Sequence, residues 1–253
     1  MHPRASGPAA ARPVALLVNG PSSSGKSTLC RALQERLTES ADHATFASVA
    51  FDDVVLLISD TLFPISFVAL AGGDITRLVS REPHDGHAAW EYIDETPTAT
   101  GGDGHPRVRL VLRADTRRLL SGIHRGWGAH LALGTNLIID HFLQDKDWCD
   151  EALDVLGNSG AHIFSVGVYC SVQELQRREA ARAGGELEGR PLGLARRSNE
   201  LCHSHGLEYD VTVWTDQQTT EESVDAIVAA LYSFEDGAPR PKGNSWRRAR
   251  YPL

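Results

Sequence analysis

Gly20-Pro21-Ser22-Ser23-Ser24-Gly25-Lys26-Ser27 separates two stretches of different character. Before it runs Val14-Ala15-Leu16-Leu17-Val18-Asn19, a short, unbroken apolar segment. That is the pattern of a strand buried on both faces of a parallel sheet. After it, Leu29, Leu33 and Leu37 recur along one face of a helix expected over about 26–39. The spacing G-x4-G-K-S completes a phosphate-binding loop. Gly20 and Gly25 permit backbone angles that other residues avoid. Successive N–H groups can then turn toward phosphate oxygens, and the helix N-terminus adds its partial positive charge. In such a loop the lysine reaches the β and γ phosphates and the Ser27 hydroxyl ligates Mg²⁺. Lysine occurs only at 26, 146 and 242, against 22 arginines, so Lys26 is not compositional background. The reading is binding of a nucleoside triphosphate with Mg²⁺ through Gly20, Pro21, Ser22, Ser23, Ser24, Gly25, Lys26, Ser27 and Thr28.

Outward from the loop, strands and helices alternate. A strand is expected over Thr45–Phe51 and a helix over 53–63. The stretch from Gly72 to Gly104 reads as irregular, and Trp90–Ile93 with Arg107–Leu112 as a hairpin around Gly101-Gly102-Asp103-Gly104. Next come a helix at about 115–132, the buried strand Asn136–Asp140, a helix at 147–157, a strand at 162–169 and a helix at 171–183. A Gly/Arg-rich stretch leads into a helix ending near 205, followed by a strand over Tyr209–Trp214 and a helix over 220–234. This order predicts an α/β fold, the three-layer P-loop kinase arrangement of a parallel sheet with helices on both faces. The expected organisation is a disordered leader over 1–13, one domain over 14–234, and a basic flexible tail over 235–253. Within the domain, 70–110 is an acceptor-side insertion and 178–193 a lid. Ligands in such sheets sit at the C-terminal ends of the strands.

Two carboxylates at those ends, and a set of arginines on and after the helix expected over 171–183, carry chemistry. Asp140 closes the apolar strand Leu137-Ile138-Ile139, the place of a metal-side carboxylate, with a strand-end cap as the alternative. Asp52 ends the second strand, where one aligned carboxylate suffices to accept a proton from an attacking hydroxyl. Asp53 competes for that role. Arg178 and Arg182, with Arg190 further on, form a candidate arginine lid that would neutralise charge on the transferring phosphoryl group. The alternative is a solvated helix face. No N-K-x-D guanine-recognition motif is present, and Asp154–Gly157 fits D-x-x-G only inside a helical pattern.

The ordered pieces Leu17–Ser27, Phe51-Asp52, Leu137–Asp140, Val166–Cys170, Arg178-Glu179-Ala180-Ala181-Arg182 and His205–Asp210 resemble the chloramphenicol phosphotransferase family of small P-loop kinases. The resemblance implies that the nucleotide is ATP and that its γ-phosphate passes to a hydroxyl of a small natural product, in a setting of antibiotic inactivation or self-resistance. It also implies a base at Asp52 and lid arginines at Arg178, Arg182 and Arg190. His141 stands where the family is expected to carry a second acid, and 70–110 is longer than expected. A remodelled acceptor region follows, with Asp52, Asp53, Trp90, Tyr92, His141 and Phe142 as substrate-side candidates and Trp127 as a further candidate for the pocket lining.

Bulk properties bound the alternatives. The net charge is −8. The tail carries +3 and the leader +2, which leaves −13 on the core between them. An acidic core argues against a nucleic-acid groove. No apolar run reaches the length of a membrane span, and the leader lacks a signal-peptide core. A cytoplasmic protein is expected, with a small hydroxylated acceptor as its partner, no nucleic acid or membrane partner, and room for a homo-oligomer. Cys30, Cys149, Cys170 and Cys202 are scattered and read as free thiols. Cys202, His203 and His205 form no complete metal pattern. Two other functions compete: a kinase of a primary metabolite or nucleoside, and a non-enzymatic nucleotide-dependent binding module.

Overall fold

The computed structural model describes residues 12–39, 45–51, 65–69, 75–80, 89–97, 104–183 and 191–235. Five strands form one sheet: β1 (Val14–Asn19), β2 (Phe46–Ala50), β7 (Asn136–His141), β8 (His162–Tyr169) and β9 (Val211–Trp214). Their order is β2-β7-β1-β8-β9, and every neighbouring pair is parallel. Parallel neighbours need long crossovers, and helices supply them on both faces.

The unbroken apolar character of β1 follows from this placement. All six of its residues are buried. Val14, Leu16 and Val18 face one core with Leu29, Leu33 and Leu37 of α1 (Lys26–Thr38) and Val224, Ile227 and Leu231 of α6 (Thr220–Glu235). Ala15 and Leu17 face the other core, with Trp127 and Leu131 of α2 (Ala114–Ala132) and Ala152, Leu153 and Leu156 of α3 (Lys146–Asn158). Alternate side chains of a strand point to opposite faces, so the middle of a central strand is apolar on both, and the buried polar Asn19 comes only at the end of β1.

Two antiparallel hairpins lie outside the main sheet. Strands β5 (Trp90–Asp94) and β6 (Val108–Leu112) pair with Trp90 opposite Leu112, as their alternation predicts. Strands β3 (Ile65–Ala69) and β4 (Ile75–Ser80) form the other. The sequence reading treats 72–104 as irregular and so misses β4. Its six residues are flanked by glycine and polar residues, which dilute a period-2 signal that short. The helix expected over 53–63 falls outside the described residues. Helices α4 (Val172–Ala183) and α5 (Leu194–Cys202) complete the elements the site uses. Among the described residues no helix is long and apolar enough to cross a membrane. All four cysteines are buried free thiols.

Candidate active site

The phosphate loop starts where β1 ends. Asn19 is fully buried and anchors that junction: its amide donates to the Cys202 carbonyl at 2.8 Å and to the Tyr209 hydroxyl at 2.7 Å. Its carbonyl oxygen accepts from the Leu143 N–H at 2.9 Å. At Gly20 a Cβ would stand 2.5 Å from the Val168 carbonyl oxygen, so the loop passes too close to β8 for any side chain there. Gly25 has φ 88° and caps α1 in the left-handed region that glycine enters without strain.

Within the loop, Lys26 Nζ donates to the Pro21 carbonyl at 2.8 Å, and Lys26 is 8% exposed. Ser22 N–H donates to Ser198 Oγ at 3.0 Å. The Ser24 carbonyl accepts from Thr215 Oγ1 at 2.7 Å and from Arg178 Nη1 at 3.3 Å. The first intrahelical bond of α1 is Leu29 N–H to the Gly25 carbonyl. The N–H groups of Lys26, Ser27 and Thr28 thus have no acceptor within the helix, which is how a helix start comes to hold an anion.

Ser27 Oγ donates to Asp140 Oδ2 at 2.6 Å. Asp140 sits beside Val18 of β1 and Ala50 of β2 in the sheet register and is 8% exposed. A hydroxyl and a carboxylate meeting at the mouth of a phosphate loop fit Mg²⁺. That ion takes one or two protein oxygens and completes its octahedron with water and phosphate oxygens. Among the described residues no group of three or more His, Cys, Asp and Glu side chains forms a metal cage. The donor set is therefore suited to a metal shared with a nucleotide.

The arginine helix α4 leans over the loop. Arg178 donates through Nη2 to the Thr215 carbonyl at 2.9 Å and through Nε to Glu174 at 2.8 Å. Arg177 and Arg178 together hold the Glu174 carboxyl down to about 2. Arg178 and Arg182 line a cavity of about 420 Å³ with Ser23, Thr28, Thr215 and Gln218. Arg190 lies outside the described residues. Glu179, the acid of the R-E-x-x-R motif, does not face solvent. It is 7% exposed and accepts from the Gly193 N–H at 2.8 Å and the Ala195 N–H at 2.6 Å, capping α5.

Asp52 and Asp53, the residues after β2 and Phe51, lie outside the described residues. The Phe51 N–H donates to the Asp140 carbonyl at 2.8 Å, which brings the residue before Asp52 against β7. Phe51 stacks on Trp148 with centroids 5.6 Å apart and meets Phe142 edge-on at 5.6 Å. Trp90, Tyr92 and Phe142 join the same cluster. Trp90 is 6% exposed and His141 fully buried, so both sit in the wall of this region and not on an open surface. His141 Nε2 lies 3.1 Å from His124 Nε2, and burial drives both imidazoles toward the neutral form, His124 to about 4. Trp127, on α2, packs in the core between that helix and the sheet, not in a pocket lining, and tilts against His124 at 4.5 Å. Sequence reasoning missed Asn19, His124, Trp148, Ser198 and Thr215. Each has a partner well removed along the chain; Asn19, like Glu179, stood inside a quoted sequence piece, but its contacts with Cys202, Tyr209 and Leu143 did not show there.

The model of the chloramphenicol phosphotransferase-like proteins matches residues 14–232. The chain belongs to that family. No curated protein matches the sequence at a significant level. Among solved structures, the APS kinase CysC of Mycobacterium tuberculosis in complex with AMPPNP and APS is similar at TM-score 0.54 and 13% identity, over 88% of this chain and 99% of that one. APE1195 is similar at TM-score 0.54 and 15% identity, over 89% and 96%. A protein from Chloroflexus aurantiacus j-10-fl is similar at TM-score 0.51 and 15% identity, over 88% and 97%. These likenesses establish the P-loop kinase fold, and with the family they support a phosphotransferase.

Proposed function

We propose that the chain moves the γ-phosphate of ATP to a hydroxyl of a small natural product, inactivating an antibiotic or protecting a producer from one. The observation that carries the reading is the Ser27–Asp140 pair at 2.6 Å, set at the mouth of a complete phosphate loop in a member of this family. Lys26, folded onto Pro21 here, would turn to the β and γ phosphates. Ser27 and Asp140 would hold Mg²⁺, which supplies charge neutralisation at the phosphates when bound. The 420 Å³ cavity beside Thr28, Thr215 and Gln218 suits the nucleoside end of ATP. Arg178, Arg182 and Arg190 would stabilise the transferring phosphoryl group. Asp52 would take the proton of the attacking hydroxyl, with Asp53 as the competing base. The cluster of Phe51, Trp90, Tyr92, Phe142 and Trp148 would floor the acceptor region, with His141 behind it.

A panel of hydroxylated antibiotics and primary metabolites, incubated with Mg-ATP and read by mass, tests this. Gain of one phosphate on an antibiotic supports the reading. Phosphorylation of metabolites or nucleosides alone would replace it with ordinary metabolic kinase activity. That second reading draws on the APS kinase, similar in fold and solved with AMPPNP and APS. Lys26→Ala should abolish Mg-ATP binding in calorimetry. Asp52→Asn should keep Mg-ATP affinity within about threefold and lose turnover by about a hundredfold or more, in the range of general-base loss; unchanged turnover would remove Asp52 from the role.

A further inference from the structure

Helix α5 touches both sides of the site and belongs to no phosphate-binding motif. Its first turn hangs on Glu179 of α4 through the Gly193 and Ala195 N–H groups. Its outer face is tied to the β5–β6 hairpin: Arg197 pairs with Glu95 at 2.5 Å, and Arg107 of the hairpin with Glu200 at 2.7 Å. Its last turn meets Asn19 through the Cys202 carbonyl. On the inner face stands Ser198, with no exposed surface. The Ser198 hydroxyl donates to the Ala195 carbonyl at 2.9 Å and accepts the Ser22 N–H at 3.0 Å. One proton and two lone pairs allow both bonds at once.

We propose that Ser198 is a positioning residue for the phosphate loop, and that α5 is the strut relating that loop to the arginine helix and the acceptor-side hairpin. The proposal rests on the nucleotide-binding reading of Gly20–Ser27. Ser22 occupies the first half of the loop, between the close approach at Gly20 and the turn at Ser23, whose φ is 65°. The hydrogen bond to Ser198 pins that half from outside the loop. Without it, Ser22 N–H can rotate and the loop no longer holds one geometry before phosphate arrives. The affinity lost is then the ordering that a preformed loop avoids.

The test uses the full chain and its Ser198→Ala, Ser198→Cys and Thr116→Val variants. Thr116 is a control: its buried hydroxyl donates to the Ala89 carbonyl at 2.6 Å, on the hairpin side of the molecule. Mg-ATP and adenosine affinities are measured by titration, and Ser22 amide exchange by NMR. One lost hydrogen bond should weaken Mg-ATP by about five- to tenfold in Ser198→Ala and leave adenosine unchanged. Ser22 exchange should rise about tenfold, with β1 amides unaffected. Ser198→Cys, whose sulfur accepts weakly, should fall between wild type and Ser198→Ala, and it carries the test if the alanine variant does not fold. Thr116→Val should bind Mg-ATP as the wild type does. Mg-ATP affinity within twofold of wild type in both Ser198 variants overturns the proposal. So does an equal loss for adenosine, or an equal loss in Thr116→Val. If the wild type itself binds no Mg-ATP, the nucleotide reading fails and this proposal with it. Wild-type binding with unaffected Ser198 variants removes the proposal alone.

Discussion

Ser27 and Asp140 are 113 positions apart, yet their oxygens meet at 2.6 Å. Both are set by backbone that cannot easily move: Ser27 by the start of α1, Asp140 by its register between β1 and β2. Asp140→Asn removes the anionic oxygen while keeping the shape. The Mg²⁺ concentration needed for tight ATP binding should then rise about tenfold or more, with metal-free ATP binding little changed; titration at several Mg²⁺ concentrations reads this directly. Gly20 makes a different kind of demand. A methyl there would meet the Val168 carbonyl oxygen at 2.5 Å, backbone that has no rotamer to move into. Gly20→Ala should cost about 1–3 kcal/mol in urea unfolding. A cost near zero would mean the loop can lift from β8.

At the scale of elements, α4 and α5 meet through one buried carboxylate. Glu179 satisfies the Gly193 and Ala195 N–H groups at the start of α5, donors that a helix start leaves without intrahelical partners. Glu179→Ala should destabilise the chain by about 1–3 kcal/mol, because two N–H groups lose their acceptor. Glu179→Gln, which retains one carbonyl oxygen, should recover part of it; chemical denaturation of the pair reads the difference. The R-E-x-x-R motif therefore divides its labour. Arg178 grips the Ser24 carbonyl and Thr215 on the loop side, Arg182 lines the adjoining cavity, and Glu179 holds the next helix. Arg178 and Arg182, four residues apart, share one face of the helix, and Glu179, the next residue after Arg178, is turned about 100° away from it.

For the molecule as a whole, buried imidazoles tie stability to pH. His124 and His203 are pushed down to about 4, by burial first in each case, with Lys26 adding to the shift at His203. An unfolded histidine titrates near 6.5. Below that value the unfolded chain binds protons the folded chain refuses, so stability is full above pH 6.5 and falls as pH drops toward 4. The melting temperature should decline across that window. His124→Gln and His203→Gln should each flatten the decline; an unchanged slope in both would assign it to carboxylates. His203 stacks on Tyr169 at 4.1 Å and bonds the Tyr209 hydroxyl at 2.8 Å, and that same hydroxyl steadies Asn19, so loss of packing there would reach the loop entry.

The phosphate loop and the strand and helix that flank it were legible in the linear chain. Gly20 to Ser27 is contiguous, and β1, β7 and β8 each carry an apolar run, Val14–Val18, Leu137–Ile139 and Ile163-Phe164, within strands that are buried at nearly every position because both their faces are covered. Local chemistry and periodicity are enough for that, and they placed Asp140 at a strand end. Folding alone revealed the relations between distant residues. The order β2-β7-β1-β8-β9, the Ser198 contact with Ser22, the Glu179 cap on α5 and the facing of His124 with His141 each join positions whose separation follows no period. Such pairings arise from packing, where the shape of the whole sheet sets which side chains meet, and a short window of sequence carries no trace of it.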